Sequence, residues 1–185
     1  MPIVTVYISL SLLPNIGFAI TKSLSFMYLV LFFSTIVIPL ISVFFLIKIK
    51  LVSSLEMSNY KERSLPLFIT TASMFLGYSL LEGILVFSFL LRDIIIGAII
   101  IVFASSIISK YWKISLHMLG FGGLVGVLFS LHFLYGKMIN ILIFSILISG
   151  ILGVSRIKEQ AHNNVQVYIG FIIGFFVEVY FILLF

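Results

Sequence analysis

Two imidazoles and a handful of cations carry the chemistry this chain could do. Ser155 and Arg156 are followed after five residues by His162, inside a polar stretch from Ser155 to Gln166 that also holds Lys158, Glu159, Gln160, Asn163 and Asn164. Upstream, Ser115 and His117 stand one residue apart at the start of an apolar run, just after Lys113. A third polar segment, Lys48 to Leu65, contributes Lys61 and Arg63. Guanidinium groups offer a rigid fork that matches two oxygens of a phosphate, and an imidazole can act as nucleophile or proton donor. Residues of these types are compatible with phosphoryl chemistry, in which cationic donors surround the equatorial oxygens of the transferred group. No thiolate chemistry is open to a chain without cysteine. His117, His132 and His162 have no acidic cluster beside them, so neither a metal site nor a cofactor is expected.

Such residues need a scaffold, and the composition names it. The 185-residue chain is 62% hydrophobic and 9% charged, with twenty phenylalanines, which describes an all-α polytopic membrane bundle. A bilayer core about 30 Å thick takes roughly 20 apolar residues in a helix, and seven such runs are legible. The first, Pro2 to Ile20, is broken by Pro14-Asn15 and closed by Lys22, so residues 1–22 read as an accessory kinked or re-entrant segment. Residues 26–185 then form a core of six transmembrane helices within a single domain. These six runs are Phe26 to Ile47 with a kink at Pro39, Leu67 to Leu91 with Glu82 near its middle, Ile94 to Ser109 after a tight turn at Arg92-Asp93, a fifth from about Ile114 to Tyr135, Met138 to Val154, and Val165 to Phe185 with Glu178. The N-terminus has no basic region followed by a small-residue cleavage site, and is expected to be retained. A net charge of +5 reflects basic residues at the ends of apolar runs, not a nucleic-acid-binding block.

Counting crossings gives the polar pieces their sides. The Lys48 to Leu65 loop, the Lys110 to His117 segment and the Ser155 to Gln166 stretch are separated by two spans each, so all three face one side. Lys22, Arg92, Asp93 and Lys137 face the other. The excess of Lys and Arg on the motif side favours the cytoplasm, but that vote weakens once cations that could serve a bound anion are set aside, so both orientations stay open; the expected location is the inner membrane of a bacterial cell.

In order, spacing and placement, these fragments resemble the type 2 phosphatidic acid phosphatase superfamily, whose motifs read Lys-x6-Arg-Pro, Pro-Ser-Gly-His and Ser-Arg-x5-His-x3-Asp. The resemblance covers roughly Lys48 to Gly174. It implies His162 as the nucleophile that forms a phosphohistidine, His117 as the general acid, and Arg156, Arg63 and Ser115 as phosphate ligands; the first-motif lysine has no counterpart at its own position, and Lys113 and Lys61 are the cations available to stand in for it. The implied substrate is a lipid phosphate or prenyl diphosphate whose tails stay among membrane lipids, and the implied reaction needs no metal. Five positions depart from the pattern. Glu56 stands where the first motif has lysine and Ser64, not proline, follows Arg63; Ile114 and Leu116 replace the proline and glycine of the second, and Gln166 occupies the place of the third-motif aspartate. Gln166 can orient His162 by a hydrogen bond but brings no charge, and Glu159 is the only nearby carboxylate that could stand in.

Two other functions are compatible with the same residues. One is a non-catalytic lipid-headgroup-binding or scaffold protein of the same fold, which the Gln166 and Glu56 departures favour. The other is a small transporter or channel, which would need the intramembrane acids Glu82 and Glu178 to face one cavity. Gly120, Gly122, Gly123, Gly126, Gly170 and Gly174 predict close packing of the helices that carry His117 and His162. His132 is expected at the opposite interface.

Overall fold

The computed structural model describes residues 2–12, 23–55, 57, 59–136 and 138–184. Within them the chain is all-α, an integral membrane bundle. Helix α1 (Pro2–Leu12) is followed by α2 (Leu24–Lys48), α3 (Ser64–Leu85, entered through a 3-10 turn at Tyr60–Arg63), α4 (Phe89–Ile108), α5 (Leu116–Tyr135), α6 (Ile139–Lys158) and α7 (Asn164–Leu183). Helices α2 to α7 are long and apolar enough to cross a membrane, where every backbone group must find its partner within the segment. At 1.5 Å per residue the eleven residues of α1 reach about 16 Å, half of a bilayer core. Its Val6 and Leu10 join the main core with Met27, Leu81, Ile94 and Leu131, so α1 is an accessory packed on the six spans. The expected break at Pro14-Asn15, the closing Lys22, the motif departure at Glu56 and Lys137 lie outside the described residues.

Helices α4 and α5 are the inner pair, while α2, α6 and α7 have few fully buried residues. Helix α2 deforms before Pro39 into a π-helical turn, Phe33–Val37, in which the N–H of Ile38 reaches back to the Phe33 carbonyl. That diverts the usual donor for the Ser34 carbonyl, and the next candidate along the helix, Pro39, has no N–H. Ser73 of α3 fills the gap, its Oγ donating to Ser34 O at 2.6 Å. The kink expected at Pro39 is thus a π turn completed by a neighbouring helix.

The link between α3 and α4 falls earlier than the sequence suggests. Helix α3 ends at Leu85, Ser88 caps α4 by accepting from the Leu91 N–H at 3.3 Å, and Arg92 and Asp93 lie inside the first turns of α4. Their charges are accommodated by each other, Arg92 Nη2 to Asp93 Oδ1 at 2.9 Å, and by the ring of Phe89 beneath the guanidinium. A polar pair reads as a turn when its neutralisation is not visible. The earlier end also moves Glu82 from mid-helix to the exposed last turn of α3.

The closest packing joins α5 to α7. A Cβ on Gly126 would lie 2.6 Å from the Phe175 carbonyl, one on Gly170 would lie 2.8 Å from Ser115 O, and Gly122 and Gly174 face the backbones at Phe171 and Leu119 just as tightly. Only hydrogen fits at these contacts, so the two helices meet backbone to backbone. Gly120 and Gly123 also line an interior cavity, and a Cβ on Gly123 would meet Ile101 of α4 at 3.2 Å and Glu178 of α7 at 3.5 Å.

Candidate functional site

The link between α6 and α7 is built to bring an arginine and a histidine together. Helix α6 continues past Val154 to Lys158, so Arg156 projects from its last turns instead of from a loop. Gln160 then adopts a left-handed conformation, φ +54°, which a non-glycine residue holds at a cost of about 1 kcal/mol and which turns the chain back. The turn is closed by the His162 N–H donating to the Arg156 carbonyl at 3.2 Å. Asn163 caps α7 with a reciprocal box: its Oδ1 accepts from the Gln166 N–H at 2.9 Å, and Gln166 Oε1 accepts from the Asn163 N–H at 3.3 Å.

That box decides the state of His162. Because the amide oxygen of Gln166 is the atom facing the Asn163 N–H, the same oxygen faces His162 Nδ1 at 3.0 Å. Nδ1 therefore carries the proton and donates it, leaving the lone pair on Nε2. His162 is 9% exposed. Burial is the main reason its pKa lies below the ordinary histidine value; the positive groups Lys113, Arg63 and His117 push it further down, and the Gln166 bond opposes them. No hydrogen-bond partner meets Nε2 among the described residues.

The second segment is tied to the third through backbone. Ser115 N donates to the Gln166 carbonyl at 3.4 Å, and His117 follows in the first turn of α5. The first segment is folded on itself by Glu62, which accepts from Ser53 N and Oγ at 2.8 and 2.7 Å, and by Arg63 Nε, which donates to the Met57 carbonyl at 3.1 Å. All three segments line one cavity of about 810 Å³, into which Arg63, Lys113, His117, Arg156, Glu159 and His162 contribute. The same-side placement obtained by counting crossings is thus realised in space.

The remaining expected residues divide. Lys113 lines the cavity and Lys61 does not. Gln166 stands behind His162 as its hydrogen-bond partner. Ser115 is fully buried, its Oγ has no hydrogen-bond partner, and it is outside the cavity lining; what reaches the site from it is the backbone link. Glu159 does not take the place of the missing aspartate: its Oε2 pairs with Arg156 Nη2 at 2.8 Å and its Oε1 accepts from Ser155 Oγ at 3.1 Å. Arg156 Nε, by contrast, is buried without a partner. His132 accepts from the Met138 N–H at 3.3 Å at the far end of α5, away from the cavity. Among the described residues no three His, Asp or Glu side chains gather as a metal site would require.

No family model, curated protein or solved structure matches the chain. Function must be argued from the cavity itself.

The roles of two residues escaped the sequence reading although their signals were present. Asn163, three residues before Gln166, has the spacing of a capping box, and Glu159, three residues after Arg156, has that of a helical ion pair. The intramembrane acids, in turn, do not share a cavity: Glu82 is exposed at the end of α3, whereas Glu178 is buried between α4, α5 and α7. The arrangement that a transport path through both acids requires is absent among the described residues.

Proposed function

We propose that the protein is a membrane-embedded phosphatase or phosphotransferase acting on a lipid phosphate or diphosphate through a phosphohistidine, as the resemblance to the type 2 phosphatidic acid phosphatases implies. The observation that carries this reading is a cavity in which Arg63, Lys113 and Arg156 surround two imidazoles, one of them held as a neutral base with Nε2 free. Its place at the ends of α3, α5, α6 and α7 favours a headgroup that reaches in from the membrane edge while its chains stay in the bilayer.

In the first half-reaction His162 Nε2 attacks phosphorus, the bond to the leaving oxygen breaks, and His117 gives that oxygen a proton. In the second, His117 takes a proton from water, whose oxygen attacks the phosphohistidine, and the P–N bond breaks to return phosphate and free His162. For a phosphotransferase an acceptor hydroxyl takes the place of water. The cations neutralise charge on the equatorial oxygens throughout, and the Nδ1–H bond to Gln166 holds the ring as it becomes positive. The amide offers no charge to that cation, so the expected rate is low.

A second reading has one observation in its favour. Glu159 already occupies part of the Arg156 fork and Gln166 is neutral, which suits a protein that binds a phosphorylated headgroup without cleaving it. Purified protein assayed for phosphate release from short-chain phosphatidate and a prenyl diphosphate, with His162→Ala and Gln166→Asp alongside, decides between the two. Release that vanishes in the first variant and rises in the second supports the enzyme. Headgroup binding with no release from any version supports the binder.

A further inference from the structure

Below the phosphate cavity lies a second space of about 230 Å³, and Leu67, Thr70 and Leu116 line both. Its walls are chiefly apolar, with Met74, Ile101 and Leu124 typical, and it penetrates to Glu178 of α7. Glu178 is 3% exposed and its Oε2 has no hydrogen-bond partner. The bundle is shaped to receive this carboxyl: a Cβ on Gly97 of α4 would lie 2.6 Å from Oε2, and one on Gly126 of α5 would lie 3.1 Å from the Glu178 Cβ. Glycines on two other helices thus leave a slot for one acid.

The polar groups around the space leave the acid without a donor. Four hydroxyl side chains line it: Thr35, Thr70 and Ser105 commit their protons to their own helices, to Leu31 O at 2.7 Å, Pro66 O at 2.8 Å and Val102 O at 2.7 Å, and neither they nor Thr5 donates to Glu178 Oε2. An unpaired carboxyl in hydrocarbon is costly whatever its charge. We propose that this inner cavity is a binding site for a segment of apolar chain that carries a hydrogen-bond donor, a hydroxyl or an amine, which Glu178 accepts from. The walls select hydrocarbon and the acid selects the donor. The volume, several times the roughly 30 Å³ that one water takes in the liquid, admits a short chain segment and excludes a whole lipid. A bare alkali cation suits the walls less well, since hard cations take several oxygen ligands and most of this lining is carbon.

The test reads Glu178 directly and is independent of any phosphatase activity. Protein in phosphatidylcholine nanodiscs is treated with dicyclohexylcarbodiimide, which adds to a protonated carboxyl in apolar surroundings, and the adduct at Glu178 is quantified by peptide mass mapping. The adduct is expected in the native chain and lost at that position in Glu178→Gln. 1-Octanol, which carries a donor, is expected to suppress it at least fivefold, while octane and methyl octyl ether at equal membrane concentration leave it unchanged. Equal protection by all three would reduce the cavity to an unselective apolar space and overturn the proposal. So would no protection by octanol, or an acid that the carbodiimide never reaches. The protection series uses the native chain alone, so it stands whether or not the Glu178→Gln variant folds.

Discussion

The two cavities share three wall residues and are otherwise opposites. The outer one collects Arg63, Lys113, Arg156 and Glu159 from three polar segments at the membrane edge; the inner one holds a single carboxyl in a slot of glycines. Charge at the edge is cheap, because long basic side chains reach the interface, so no one of those cations means much. What distinguishes the outer cavity is convergence: residues far apart in the chain, from Arg63 to His162, face the same space, with the Arg156 to His162 and Ser115 to Gln166 backbone bonds fixing their spacing. Charge in the interior is expensive, so Glu178 is informative alone. The outer site must be broken by removing partners, the inner one by supplying them.

The largest effect should come from His162. If it is the nucleophile of the outer cavity, His162→Ala lowers phosphate release by about 10³-fold or more, since removing an attacking group abolishes the covalent route. A variant that releases phosphate at the native rate would remove His162 from the mechanism. Arg156→Ala comes next. Loss of one preorganised donor costs on the order of 10² to 10³ in turnover, and Arg156→Lys should recover only part of it, because an ammonium cannot fork across two oxygens.

Gln166→Asp tests whether the weakness of the site lies in its neutral amide. A carboxylate at Nδ1 stabilises the ring as it gains charge; the reverse change in the serine-protease triad costs about 10⁴, and a gain of about tenfold or more is expected here. The pH profile gives the sign. The neutral ring attacks, so kcat/KM falls as pH drops through the His162 value, which burial and the neighbouring cations hold below the ordinary histidine value. The carboxylate introduced by Gln166→Asp would raise that value, and the acid limb should move to higher pH. Lys113→Ala should move it the same way by less, since it removes one of the cations that depress it.

How much of this is legible in the sequence follows from where the information resides. The six spans are local matters of apolar run length, and the shared side of Arg63, His117, Arg156 and His162 follows from counting crossings, whereas their convergence on one cavity depends on how the helices pack. Boundaries fail where charge looks like a terminus: Arg92-Asp93 neutralise one another inside α4, and Arg156 lies within a helix it was expected to follow. The direction of Glu159 is ambiguous in the sequence because one carboxylate has two possible partners, and only the helical turn places it beside Arg156. The sealed hydroxyl of Ser115 and the inner cavity depend on which faces of α4, α5 and α7 meet, and no spacing within one segment encodes that. The glycines of α5 announce close packing, but not that Gly122 and Gly126 serve the seam with α7 while Gly123 faces the cavity.

The smallest effect is also the finest probe of the outer cavity. Glu159 holds Arg156 Nη2 at 2.8 Å, and its side chain is 53% exposed, so water screens the pair and its strength is in the range of about 0.2 to 1 kcal/mol. A phosphate entering the cavity competes with this carboxylate for the same fork. Glu159→Gln should therefore tighten binding of inorganic phosphate, read as competitive inhibition or by calorimetry, by up to about fivefold, which is what roughly 1 kcal/mol corresponds to. The gain should shrink as salt is raised from low ionic strength to about 1 M, where the screening length falls to about 3 Å. An affinity that stays the same, or a gain indifferent to salt, would mean that the bound anion does not meet Arg156 on the face that Glu159 covers. It would instead have to approach through the unpartnered Nε of Arg156, on the buried side of the guanidinium.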